Sequence, residues 1–154
     1  MASEGALDRT DDSIVALLRE NARRSFQDIG ARVGLSAPAV KRRVDRLESR
    51  GIIKGYSAIL SAAALGWPTL AVVQLYCEGR MSAAEVEAAV SPYPEISAAF
   101  TVAGAASAVV LVRARDTQHL EETLAALRSA GGVLRTETSV VLSTLLDRPF
   151  AVES

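Results

Sequence analysis

The sequence predicts an α+β protein in two parts: a three-helix helix-turn-helix head of winged-helix-like type, then a ferredoxin-like βαββαβ domain. Three observations carry this prediction. Capped helical patterns meet at Gly34-Leu35-Ser36, strand and helix patterns alternate twice in the C-terminal half, and the charge is divided unevenly between the halves. With 154 residues, 49% hydrophobic and 23% charged, the chain can fill the core of one ordinary domain or two small ones, but it is too short for a large enzyme. One Cys excludes an intramolecular disulfide, and one His excludes a histidine metal cage and most histidine-based catalysis. No catalytic group, metal or cofactor is therefore expected, and the compartment expected is the reducing cytoplasm.

Asp8 offers a cap oxygen ahead of Ile14, Leu17 and Leu18, which recur at i, i+3 and i+4, and Asp11 and Asp12 lie near the positive end of the helix dipole. A first helix is predicted over Arg9–Asn21. Ser25 and Asp28 have the Ser-x-x-Asp spacing of a capping box, and Ile29 and Val33 give a second helix, Phe26–Val33, a one-sided apolar stripe. Gly34 can enter the left-handed region that ends a helix, Leu35 plugs the corner, and Ser36 caps a third helix whose first turn tolerates Pro38. In that helix, Ala37–Arg50, an advance of about 100° per residue brings Val40, Val44 and Leu47 within about 60° of one another. Arg42, Arg46 and Arg50 fall on the other side, flanked by Lys41 and Arg43, so the basic groups are expected to project outward together. Gly51 stops the helix, and Ile52–Leu60 is predicted as a connecting strand leading to a hinge at Gly66-Trp67-Pro68.

Thr69–Cys77 is a β-rich run, and Ser82 with Glu85 forms a full capping box that opens a helix ending near Val90, before Pro92 and Pro94. Ile96–Val102 and Ala108–Arg115 read as strands joined through the small-residue turn Ala103-Gly104-Ala105-Ala106-Ser107. Thr117 is expected to cap a helix with Leu120, Leu124 and Leu127 on one face, closed by Gly131-Gly132, and Val133–Leu142 supplies the last strand. Two strand-helix-strand units joined by a hairpin cover one face of a sheet with helices and leave the other to find a partner. Cys77 reads as a small buried hydrophobe, Trp67 as a packing anchor or a lid, and His119 as an exposed or capping residue.

Met1–Leu7 contains no apolar run and carries Glu4, so it does not read as a secretory signal. The 23-residue stretch Gly55–Cys77 is free of charge but broken by Gly66, Pro68 and Gln74, so no membrane span is expected.

Residues 1–55 carry net charge +3 and the remainder −4, and Arg23–Lys54 alone carries +6. Such asymmetry suits a chain that meets a polyanion at one end. A helix behind a tight turn presents its N-terminal residues to base edges in the major groove, while the preceding helix crosses the backbone. The residues expected at double-stranded DNA are Ser25, Ser36, Ala37, Ala39, Lys41, Arg42, Arg43, Arg46 and Arg50. Small side chains at the tip allow close approach, Arg42 and Arg43 are suited to guanine, and Lys41, Arg46 and Arg50 to phosphates.

The chain resembles the Lrp/AsnC family of feast/famine transcriptional regulators. Leu7-Asp8-Arg9-Thr10-Asp11, Ile14-Val15-Ala16-Leu17-Leu18, Gly34-Leu35-Ser36, Val40 through Glu48 and Gly51-Ile52-Ile53 carry the likeness in the first half. In the second, Val102-Ala103-Gly104 and Arg135-Thr136-Glu137-Thr138 resemble the family's RAM domain. The resemblance implies a DNA-binding domain at 1–54, a connecting segment at 55–68, and a domain at 69–154 that binds a small molecule and assembles. It implies a homodimer that associates further into a tetramer or octamer, with an amino acid or related effector near subunit interfaces. By the same resemblance the effector is expected at Gly104, Ala105, Ser107, Thr136 and Thr138. Where the family commonly carries a polar stretch between the second and third strands of this domain, this chain has Ala103-Gly104-Ala105-Ala106-Ser107. Two other functions compete with an effector-modulated regulator. One is a nucleoid-associated, DNA-compacting oligomer without an effector; the other is an enzyme resembling tetrapyrrole decarboxylases, for which the second half offers one His and scattered Arg residues.

Overall fold

The computed structural model describes residues 7–79, 81–129 and 131–147. The N-terminal stretch read for a targeting signal lies outside these residues except for Leu7, as does the end of the 69–154 segment. The described residues divide into two units with separate cores, one of residues 7–58 and 146–147 and the other of residues 59–145.

The first unit holds α1 (Arg9–Glu20), α2 (Phe26–Val33) and α3 (Ala37–Ser49). Each begins on a side-chain oxygen that takes an otherwise unpaired amide: Asp8 from Asp11, Ser25 from Asp28, and Ser36 from Ala39. The capping box expected at Ser25 is half formed, because the Asp28 carboxylate turns to Arg24 and Arg32 instead. Gly34 sits at φ 72° and ψ 32°, the left-handed conformation that ends α2. Ile14, Leu18, Ile29, Val40, Val44 and Leu47 form the core, with Phe26, Val33 and Leu35 packed around them. Fully burying each such side chain stabilises the unit by about 1.5–3 kcal/mol.

The connecting strand predicted over Ile52–Leu60 is not a strand. Ile52 and Ile53 are drawn onto the helical core, their amides donate to the Leu47 carbonyl at 2.9 and 3.2 Å, and the chain then runs irregularly. β propensity alone does not make a strand where no neighbouring strand pairs with it.

The second unit consists of β1 (Thr69–Cys77), α4 (Ala83–Val90), β2 (Ile96–Thr101), β3 (Ala108–Ala114), α5 (Thr117–Ser129) and β4 (Val133–Val140). The strands form one antiparallel sheet in the order β2-β3-β1-β4, the ferredoxin-like arrangement. Alternation is clean in β3, where Ala108, Val110, Val112 and Ala114 are buried. They join Ala71, Val73 and Leu75 of β1 and Val86, Val90, Leu120 and Leu127 of the helices in one core. The alternate residues Leu70, Val72, Val109 and Leu111, with Phe100 at 55% exposure, occupy the opposite face of the sheet. Along its β4 side that face turns polar: the Tyr76 hydroxyl donates to Glu137 at 2.9 Å, and the Arg135 guanidinium lies 3.9 Å from the Tyr76 ring centre.

Ser82 and Glu85 form the full capping box at α4. At α5 the cap is Asp116 rather than Thr117: its Oδ1 accepts the His119 amide at 2.8 Å, because the carboxylate one residue earlier reaches the first turn and Thr117 is already helical. Among the described residues no helix is long and apolar enough to cross a membrane, and the uncharged stretch Gly55–Cys77 is irregular backbone up to Pro68 followed by β1.

Candidate nucleic-acid interface

The turn between α2 and α3 is held from both sides. The Leu35 amide donates to the Gly30 carbonyl at 2.9 Å, and the Leu35 carbonyl in turn lies against Gly30 where a β-carbon would stand. α3 then leaves from Ser36 with Val40, Val44 and Leu47 buried, so its remaining faces carry the polar residues. Ser25 and Ser36 are exposed, yet their hydroxyl oxygens already cap their own helices at 3.1 and 3.4 Å. Ala37 and Ala39 are half-buried at the start of α3, and Pro38 between them is exposed.

The basic side chains do not all project outward. Lys41 is paired with Asp45 one turn on, at 2.6 Å. Arg43 Nη1 lies 2.7 Å from Asp8 Oδ2 and 2.7 Å from Asp11 Oδ1, and Arg46 Nη2 lies 2.7 Å from Asp11 Oδ2. Asp11 is 1% exposed. A buried carboxylate is tolerated only with its charge paired and its oxygens hydrogen-bonded, and these two arginines do both. The outward projection predicted for Arg43 is corrected here, while Arg46 keeps half of its side chain exposed with one nitrogen on Asp11: a helical wheel of α3 contains no information about the acids of α1. The Arg43 guanidinium, joined by the Asp11 amide, holds the Asp8 carboxyl below the usual carboxylate range. Just ahead of α2, Arg24 bridges Glu20 at 2.6 Å and Asp28 at 2.8 Å, and on α2 Arg32 reaches Asp28 at 3.3 Å. Arg42 and Arg50 are exposed and have no ion-pair or hydrogen-bond partner for their side chains among the described residues.

In the second unit, the sheet brings Ser107 and Thr136 to either side of Leu75. The Ser107 amide donates to the Leu75 carbonyl at 2.8 Å, and Thr136 pairs with Leu75 across β4. Both hydroxyls are engaged: Ser107 Oγ accepts the Cys77 amide at 3.2 Å, and Thr136 Oγ1 accepts from Arg128 at 3.2 Å. Thr138 is exposed opposite Val73, and Gly104 and Ala105 are exposed in the turn. A hollow of about 350 Å³ lies between α4 and β2, walled by Val86, Glu87, Val90, Ala99, Phe100 and Thr101, a set that includes none of the predicted effector residues.

His119 is neither exposed nor a cap. Its side chain is 12% exposed, its Nε2 lies 3.2 Å from Glu95, and its ring centre lies 5.5 Å from that of Trp67. Nδ1 accepts from the Arg115 amide and guanidinium, both at 3.3 Å, so Nε2 carries the proton and donates to Glu95. Trp67 is thus a packing partner. Cys77 is half-buried.

The positions that sequence reasoning passed over are Gly30 and the acids Asp8 and Asp11 as partners of α3. A glycine inside a predicted helix was one signal, since it costs helix stability unless something must come close. The matched three-residue spacing of Asp8-Asp11 and Arg43-Arg46 was the other.

A family model for the AsnC-type helix-turn-helix domain matches residues 7–48, and one for the Lrp/AsnC ligand binding domain matches residues 70–150. Over 142 residues the chain is 49% identical to the HTH-type transcriptional regulator Rv2324 of Mycobacterium tuberculosis, covering 92% of this chain and 96% of that one. The feast or famine regulatory protein Rv3291c of M. tuberculosis, solved with L-methionine, superposes with a TM-score of 0.89 at 32% identity, over 96% of this chain and 100% of that one. The transcriptional regulator NMB0573 of Neisseria meningitidis, also solved with L-methionine, gives a TM-score of 0.85 at 28% identity, over 93% and 94%.

Proposed function

This chain belongs to the Lrp/AsnC family of transcriptional regulators, and we propose that it reads operator DNA as a homodimer and answers to an amino acid or a related small molecule. The family is one of DNA-binding regulators rather than enzymes. The observation that carries the proposal is α3: it leaves a tight glycine turn from a serine cap, buries one apolar seam, and with its C-cap presents Arg42 and Arg50, whose side chains have no partner among the described residues. Free guanidinium groups on an exposed helix suit guanine edges and phosphates. The reading domain is 1–54, the connecting segment 55–68, and 69–154 serves ligand binding and assembly. Ser25, Ser36, Ala37 and Ala39 line the approach to DNA, Arg42 reads bases, and Lys41 and Arg50 meet phosphates. The protein acts in the cytoplasm.

Assembly uses the apolar sheet face around Val72, Val109, Leu111 and Phe100, which suits a second copy of itself. Dimers joined further into a tetramer or octamer would set the spacing of the reading heads. The effector is held about Gly104, Ala105, Ser107, Thr136 and Thr138. The two relatives solved with L-methionine support an amino-acid ligand. With Ser107 Oγ taken by Cys77 and alanines in the turn, backbone groups must supply most of the polar contacts that a zwitterion requires.

The test is fluorescence anisotropy on the duplex upstream of the protein's own gene and on a scrambled duplex, across salt, with L-methionine and a panel of other amino acids. A preference of about 10³ for the native duplex, shifted by one amino acid, is the expected result. Equal binding to both duplexes with a steep salt dependence favours DNA compaction instead.

A further inference from the structure

We propose that Asp11 is a positioning residue for DNA recognition: it holds Arg43 and Arg46 against α1, fixes the orientation of α3, and withholds those two cations from the phosphates. This rests on the reading of α3 as the DNA-reading helix.

The geometry is a matched pair of helical turns. Asp8 and Asp11 are three residues apart at the start of α1; Arg43 and Arg46 are three residues apart in the middle of α3. Such spacing places each pair on one helix face, and the faces meet in three contacts of 2.7 Å. Each Asp11 oxygen has its own guanidinium, and Arg43 Nη1 bridges the two acids. Asp8 does double duty, since its Oδ1 caps the Asp11 amide while its Oδ2 takes Arg43. Shifting α3 along α1 would strand a carboxylate that is 1% exposed, so the network resists sliding and rotation of the helix.

The same contacts redistribute the charge. Two acids facing two arginines form a neutral group, although the +6 of Arg23–Lys54 counts both arginines and neither acid. Lys41 is offset by Asp45, Arg24 by Glu20 and Asp28, and Arg32 by Asp28. The side chains left without a partner among the described residues of this stretch are Arg23, Arg42, Arg50 and Lys54, and on α3 and its cap only Arg42 and Arg50. A helix held by two arginines and reading with two others separates orientation from contact.

Salt titration separates the two roles, because each phosphate neutralised contributes about 0.9 to the slope of log K against log salt. The probes are a duplex selected from a random pool by the wild-type protein and a scrambled duplex of equal length. Arg50→Gln is expected to lower the slope by about 0.9 on at least one duplex. Arg46→Gln is expected to leave the slope unchanged while narrowing the preference for the selected duplex by several-fold, with Arg46→Lys recovering part of it. Asp11→Asn is expected to steepen the slope and raise binding to the scrambled duplex while narrowing the preference. A loss of slope of about 0.9 in Arg46→Gln would put Arg46 on a phosphate and overturn the proposal. So would an equal loss on both duplexes in Asp11→Asn that tracks its unfolded fraction. If Asp11→Asn does not fold, the Arg46 pair decides alone. Failure of the wild-type protein to enrich any duplex sinks sequence reading itself, and the positioning role with it.

Discussion

A β-carbon on Gly30 would stand 2.3 Å from the carbonyl oxygen of Leu35, a separation that no side-chain carbon sustains. The oxygen belongs to the backbone of the turn between α2 and α3, and a chain folded there cannot yield as a flexible side chain can. Gly30 is glycine because the turn is closed onto it.

Gly30→Ala is therefore expected to destabilise the head by about 1–3 kcal/mol, the range for overpacking, despite the better helix propensity of alanine. Urea unfolding followed by helix ellipticity would show a lower midpoint at constant slope. A midpoint at or above wild type would mean that the turn moves freely.

Arg42→Ala is expected to reduce discrimination between a selected and a scrambled duplex by about 1–3 kcal/mol, the worth of a bidentate base contact. Competition anisotropy at fixed salt measures the difference. Equal weakening on both duplexes would assign Arg42 to the phosphates.

Asp8 links stability to pH. Arg43 and the Asp11 amide hold its carboxyl below its usual value of 3.8, so the stabilisation is present in full above that value and lost as pH falls through the depressed one. Asp28, lowered by Arg24 and Arg32, and Glu85, lowered by the Ser82 amide and hydroxyl, act in the same direction. Urea midpoints should stay level from about pH 7 to 5 and fall below about pH 4. The decline should be shallower in Asp8→Asn, and a decline identical to wild type would count against this assignment.

Phe100→Asp places a charge on the apolar sheet face, where Phe100 is 55% exposed. Sedimentation velocity is expected to show a dimer or a larger assembly of dimers for the wild type and a monomer for the variant, with the same far-UV spectrum. A variant that remains dimeric would move the interface elsewhere.

Ser107→Ala removes the acceptor of the Cys77 amide and is expected to cost about 0.5–1.5 kcal/mol in the second unit. Calorimetry would read this loss directly. An unchanged melting temperature together with weakened effector binding would mean that the Ser107 hydroxyl leaves Cys77 for the ligand.

What the sequence determined by itself is whatever a few neighbouring residues decide. Asp8, Ser36, Gly34 and the Ser82-Glu85 box mark helix ends through contacts no more than four residues apart, and the alternation of Ala108–Ala114 marks a strand buried on one face. These local rules make the head, the order of the sheet domain and the site helix legible. The tertiary structure decided the rest. Whether Ile52–Leu60 became a strand depended on a pairing partner, and Ile53 found the helical core instead. Whether His119 was exposed depended on Glu95 and Trp67. Which arginines of α3 remain free depended on acids 32 and 35 residues away, whose approach is set by the packing of α1 on α3. The matched spacing of Asp8-Asp11 and Arg43-Arg46 does not by itself say that these faces meet, because the ion pairs form only after the buried seam of Val40, Val44 and Leu47 has chosen the facing surfaces.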